Sequence, residues 1–205
     1  MKNGSRAIMA LVVAAAVLAP ASAGFSASSA PLSMITGHVT SQPIGHYEFC
    51  QSYQDECAIR TRSSMPPKVT EHGWKMLHRI NNEVNSSIIP MTDLEIHGKE
   101  EFWTYPVLAG DCEDFALLKR KKLVEAGFSL ADLLITVVRK PDGEGHAVLT
   151  VRTQSGDFVL DNLNDDVKLW TETRYTFLKR QSSTDTGRWV TIENGSSDVL
   201  VGALR

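Results

Sequence analysis

The sequence lacks an excess of charge of either sign: 21 Lys and Arg stand against 24 Asp and Glu, a formal charge of −3 over 205 residues. That balance leaves no electrostatic footprint for nucleic acid, and acidic partners are not expected. Long apolar runs are missing after the first two dozen residues, which excludes a later membrane-spanning helix. Internal repeats, heptads and low-complexity tracts are absent too, so solenoids and coiled coils are excluded. Cysteine is scarce: three occur, and three cannot all pair. With 42% apolar and 22% charged residues, what remains is one globular domain.

At the start, Lys2 and Arg6 precede an apolar run from Ala7 to Leu18, followed by Pro20 and the small residues Ala21-Ser22-Ala23. This pattern predicts a secretory signal peptide over 1–23, cleaved after Ala23; an uncleaved anchor would need about 20 apolar residues. Removal of Lys2 and Arg6 takes the charge from −3 to −5. An exported chain enters an oxidising compartment, and there Cys50 and Cys57, with six residues between them in a polar stretch, read as a local disulfide. With His46 they would give only three ligands at a spacing that matches no zinc pattern. Cys112 is the odd thiol.

Residues 24–45 are rich in Ser, Ala, Pro and Gly and read as a flexible N-terminal arm, with the folded domain over 46–193 and a tail over 194–205. Thr70 caps a helix in which Trp74, Leu77, Ile80 and Val84 recur at helical spacing, ending near Ser86 or Ser87. Trp103, Tyr105 and Pro106 mark an ordered loop. A second helix is expected from Cys112 to Ala126, with Phe115, Ala116, Leu118, Leu123 and Val124 inward, Lys119 to Lys122 late, and Gly127 at the C-terminal cap position. Strands over 133–139, 146–152 and 158–161 follow, joined by turns at 141–145 and 155–157. The pattern blurs beyond Asn162, save for a short strand at Trp189 to Ile192. Helices followed by an antiparallel meander make the fold class α+β.

Gly110-Asp111-Cys112-Glu113-Asp114 sets a thiol at a helix start, where amide dipoles stabilise a thiolate. His146 opens a strand and Asp161 closes the next; a three-residue turn between them is expected to bring both to one side of the sheet. A nucleophile, a base and an orienting acid in that order suit a cysteine hydrolase. Each also has a plainer reading: a small buried thiol, a core histidine and a turn-forming aspartate.

The helix stretch Asn81 to Asn85, the approach through Trp103 and Pro106, the run from Gly110 to Arg120, the strand Gly145-His146-Ala147-Val148-Leu149 and Leu160-Asp161-Asn162 together resemble the bacterial transglutaminase-like cysteine peptidase family. The resemblance spans about Thr70 to Ile192. It implies a transglutaminase-like, papain-like fold, Cys112 as nucleophile, His146 as general base and acid, and Asp161 as the residue that orients it. Well-studied relatives are calcium-dependent periplasmic proteases that release surface adhesins and so control biofilm attachment, which implies a protein substrate, a large adhesin, and an inner-membrane regulatory receptor as partner. It further implies Asp111 and Glu113 as Ca²⁺ ligands and no organic cofactor. Electrostatics supplies a separate motive: Asp111, Glu113 and Asp114 crowd one thiol and raise its pKa, a penalty that a bound hard cation removes. The plainer reading has Asp111 capping the helix and the other two serving its first turn. The backbone N–H of Cys112 is the natural first oxyanion donor, and Trp103 reads as a core anchor. Acyl transfer by the same three residues, and a catalytically silent binding module of the same fold, remain open alternatives at this point.

Overall fold

The computed structural model describes Met1, residues 32–62 and residues 65–195. The expected signal peptide beyond Met1 and the tail from residue 196 lie outside the described residues. In chain order, strand β1 (Thr36–Thr40) leads to helices α1 (Ile44–Ser52), α2 (Gln54–Cys57) and α3 (Glu71–Ser87). Strand β2 (Ile89–Pro90), helix α4 (Asp93–His97) and strand β3 (Ala109–Gly110) precede helix α5 (Cys112–Glu125). Strands β4 (Leu133–Arg139), β5 (Gly145–Thr153), β6 (Gly156–Asp161), β7 (Asn164–Leu169), β8 (Thr176–Ser182) and β9 (Asp185–Ile192) complete the chain. Among the described residues no helix is long and apolar enough to cross a membrane.

Seven strands form one antiparallel sheet in the order β1-β9-β8-β4-β5-β6-β7, and β2 pairs with β3 in parallel beside it. Alternation along the strands gives two buried faces. Leu133, Ile135, Leu149, Val151 and Leu160 pack with Leu77, Ile80 and Val84 of α3 and with Phe115 and Leu117 of α5. Val148, Val159, Phe177 and Ile192 pack on the opposite face with Met34 and Trp170.

Helix α3 starts where expected: the Thr70 hydroxyl accepts the Gly73 N–H at 3.1 Å, satisfying one of the free amides of the first turn. Helix α5 ends at Glu125, two residues before Gly127, whose φ of +93° glycine adopts freely. Its burial differs from expectation. Val124 is exposed, whereas Lys119 and Arg120 are buried beside Phe115 and Leu117, because α5 packs against both the sheet and α3 and has little solvent face.

Three further expectations are corrected. The arm of 24–45 is not loose from Leu32 on: Met34 N–H donates to Asp157 Oδ2 at 2.9 Å, the Leu32 carbonyl accepts from Asp157 N–H, and Thr36–Thr40 pairs with β9. At the other end Asn194 Oδ1 accepts the Ile35 N–H at 2.8 Å and the Gly195 carbonyl accepts the Phe177 N–H, so the folded unit outreaches 46–193 at both ends. The β5–β6 hairpin turns at Gln154 and Ser155, with Thr153 opposite Gly156. A two-residue turn pairs odd with even positions, so the odd offset of His146 and Asp161 puts both on one face without any resetting.

Candidate active site

Cys112 is the first residue of α5, half-buried, with Asp111 as the preceding cap residue in extended backbone. The Asp111 side chain makes no capping hydrogen bond, so the plain capping role is overturned. The Cys112 thiol donates to Glu113 Oε2 at 3.1 Å, and its sulfur accepts the Ala147 N–H at 3.3 Å. That second contact sets the sulfur against the first residues of β5, next to His146. Burial above all, then the Glu113 charge, pushes the Cys112 thiol well above its ordinary range.

His146 and Asp161 are both buried, and His146 Nε2 lies 2.8 Å from Asp161 Oδ1. A carboxylate only accepts, so Nε2 carries a proton, and in the neutral ring Nδ1 is the nitrogen with the lone pair. Asp161 is closely held: Oδ1 also accepts the Leu163 N–H at 3.0 Å, and Oδ2 accepts the Tyr175 hydroxyl at 2.6 Å. These donors and the imidazole outweigh burial and hold its pKa below the usual carboxylate value. The Tyr175 ring stands edge-on to His146, with centroids 5.6 Å apart. Nothing in the sequence local to Tyr175 signals this role, because its partner lies fourteen residues away in sequence.

In front of the helix, Asp93, Asp111 and Glu113 bring one oxygen each to within 4.8 Å of one another. Asp93 comes from α4, whose Thr92 and Glu95 form a reciprocal cap. Its Oδ2 accepts the Phe102 N–H, while its Oδ1 and Asp111 Oδ1 have no hydrogen-bond partner among the described residues. Burial raises the pKa of all three acids, and for Glu113 the Asp111 charge adds to it. Two buried carboxylates and one half-buried one, with an unmet oxygen on Asp93 and on Asp111, form an all-oxygen donor set of the kind a hard divalent cation takes. Two oxygens on one Ca²⁺ at about 2.3–2.6 Å lie no more than about 5 Å apart, and this set fits. Asp93 carries a helix-start signature in the sequence, which hides any other role. Asp114 stands apart: its Oδ1 accepts the Thr104 N–H at 2.8 Å, and burial lifts its pKa to about 7.

Cys50 and Cys57 are joined in a disulfide, Cα atoms 5.6 Å apart. It clips α1 to α2 beside His46, among Phe49 and Tyr53 in the core and away from Cys112. Trp103 is buried against Trp189 and His46 as a core anchor.

A helix-borne thiol set beside a buried His–Asp pair on an antiparallel sheet defines a thiol hydrolase of the transglutaminase-like and papain-like class. The sequence profile of the bacterial transglutaminase-like cysteine proteinases matches residues 36–197. The chain belongs to that family and is a cysteine peptidase acting on protein. No curated protein matches it. Among solved structures it is similar to calcium-bound Legionella pneumophila LapG, with a TM-score of 0.48 and 24% identity over 64% of this chain and 80% of that one. A second Legionella pneumophila LapG structure gives 0.48 and 26% over 63% and 75%, and an EGTA-treated one 0.47 and 24% over 64% and 78%.

Proposed function

We propose that the protein is an exported endopeptidase in which Cys112, His146 and Asp161 act as nucleophile, base and orienting acid. The observation that carries this reading is the Ala147 N–H to Cys112 Sγ contact beside a His146 whose Nε2 is already committed to Asp161. Nδ1 is thereby the nitrogen left for the thiol proton. In the proposed cycle Nδ1 takes that proton as the sulfur attacks the scissile carbonyl, and the oxyanion is met by the Cys112 backbone N–H, free at the helix start. Collapse breaks the C–N bond as the imidazolium protonates the leaving amine. Water, deprotonated by the same nitrogen, then hydrolyses the thioester and frees the acid and the thiol.

Asp93, Asp111 and Glu113 would hold Ca²⁺. The cation would supply positive charge beside the thiol, offsetting the carboxylates that hold its pKa up. Export rests on Lys2, Arg6, the apolar run and Ala21-Ser22-Ala23, and residence in the periplasm on the family resemblance. A large surface adhesin as substrate, a part in biofilm attachment and an inner-membrane receptor as regulator rest on the family resemblance.

The experiment is digestion of an unfolded reporter protein by the mature chain in H₂¹⁸O, with a primary amine added in a parallel reaction. Fragments whose new C-termini carry ¹⁸O, absent with Cys112→Ala, are expected. Amine-labelled products without ¹⁸O fragments would replace hydrolysis with acyl transfer, and no product at all would favour a silent binding module.

A further inference from the structure

A cavity of about 250 Å³ opens beside α5, between α2, the loop that carries Tyr105 and the turn after Gly127, and no residue of the site described above lines it. Ile59, Val124 and Leu130 make much of its wall apolar. Arg120 enters the wall from α5, about 12 Å along the helix axis from Cys112 at 1.5 Å per residue.

Arg120 is the anomaly in that wall. It is 4% exposed, and its guanidinium meets no carboxylate and no hydrogen-bond acceptor among the described residues. An arginine keeps its proton and carries five N–H donors, so burial without an acceptor is costly. The fold pairs its other buried arginine: Arg180 Nη1 lies 2.9 Å from Asp157 Oδ2. The two acids of the cavity wall leave Arg120 open. Glu56 Oε2 accepts the Tyr105 hydroxyl, and Glu125 is exposed to water. A second cation stands close by, with Lys121 Nζ 4.8 Å from the centre of the Tyr105 ring. Unused donors in an apolar cavity match a ligand with an acceptor at one end and an apolar tail. A carboxylate takes a guanidinium in two parallel hydrogen bonds. A dry cavity of about 150 Å³ takes benzene, so this one admits an acyl chain of about six carbons.

We propose that this cavity is a binding site for a small organic carboxylate with an apolar tail: Arg120 receives the carboxylate, the exposed Lys121 adds charge beside it, and Ile59, Val124 and Leu130 hold the tail. The ligand supplies the acceptor and the counter-charge that the fold leaves out around Arg120. The site stands on the helix that carries Cys112 but shares no residue with the thiol, His146 or Asp161, so it holds whether or not the protein cleaves peptides.

The test reads Arg120 directly, as the ¹H–¹⁵N NMR resonance of its Nε–H, with hexanoate as the probe. A saturable downfield shift of that resonance and a rise in melting temperature are expected. Hexylammonium, of the same length and opposite charge, should produce neither. Val124→Trp, at an exposed position in the wall, should fill the cavity and abolish the shift in a folded protein. Lys121→Ala should weaken hexanoate binding about tenfold. Arg120→Met keeps the apolar stem and removes the charge; it should abolish the hexanoate-dependent rise, with a ligand-free melting temperature no lower than wild type. If Arg120→Met does not fold, the resonance is assigned through bonds to its own backbone, and Val124→Trp carries the test. No saturable shift, a shift that Val124→Trp leaves unchanged, or equal binding of hexylammonium overturns the proposal.

Discussion

The Tyr175 hydroxyl donates to Asp161 Oδ2 at 2.6 Å, the carboxylate oxygen that His146 leaves free. Burial, and then the carboxylate, push the Tyr175 pKa up, so the hydroxyl stays a donor throughout the working range. Tyr175→Phe should cost about 1.5–3 kcal/mol in the hydrogen bond it removes. Peptidase kcat should fall about tenfold with little change in KM, because the ring that packs on His146 is kept. Steady-state kinetics checks this, and an unchanged kcat would remove Tyr175 from the site.

Asp93 tests the cation site independently of the residues that flank the thiol. If Asp93, Asp111 and Glu113 share one Ca²⁺, saturating calcium at about 100 times Kd should stabilise the protein by about 2.7 kcal/mol, a rise of about 5–10 °C in melting temperature. Asp93→Asn should abolish most of that rise. An equal shift in the variant would place any bound calcium elsewhere.

His46 sets a pH limit on the fold. Its Nε2 faces Gln181 Nε2 at 3.2 Å, and that amide is oriented by the Ile135 N–H on its oxygen and the Thr186 carbonyl on its nitrogen. A proton on His46 Nε2 would meet another donor. Burial, with the Arg120 charge adding to it, lowers the pKa from 6.5 to about 4. As pH falls, the unfolded chain binds this proton first. The contribution, about 3 kcal/mol, is whole above pH 6.5 and is lost as pH drops from 6.5 towards 4. Urea unfolding of wild type and His46→Gln should show a stability gap that narrows over that interval; a constant gap would contradict it.

Gly156 has a φ of +121°, and a Cβ there would lie 2.5 Å from the Leu32 carbonyl oxygen. That carbonyl accepts from Asp157 N–H and from the Trp170 indole at 3.0 Å, so it is not free to move aside. Gly156→Ala should destabilise the protein by about 1–3 kcal/mol. Chemical denaturation measures this, and a wild-type midpoint would show that the segment from Leu32 yields.

Much of the centre of the molecule was legible in the sequence. Thr70 and the Leu77, Ile80, Val84 spacing mark α3, and the alternating residues of β4 and β5 mark the meander. Cys112 at a helix start, with His146 and Asp161 on strands, follows from the same elements. The rest was hidden for physical reasons. Strand β7, Asn-Asp-Asp-Val-Lys-Leu, is a largely polar edge strand whose apolar residues are confined to Val167 and Leu169. Strand β8 buries Arg180 and Gln181, which bond to Asp157, His46 and Thr186 from other segments, so its pattern reads as exposed. Tyr175 and Asp93 reach the site through tertiary contacts, which no local spacing encodes.

The central claim is that Cys112 is a nucleophile activated by His146, and the most direct test is the rate of Cys112 alkylation by iodoacetamide from pH 5 to 9, with and without Ca²⁺, in wild type and His146→Ala. The account predicts rapid alkylation of the calcium-loaded wild type well below the ~8.5 pKa of a free thiol, and slow alkylation there for His146→Ala. Slow alkylation of the wild type, indifferent to calcium and to His146, would make Cys112 a buried inert thiol and contradict the account.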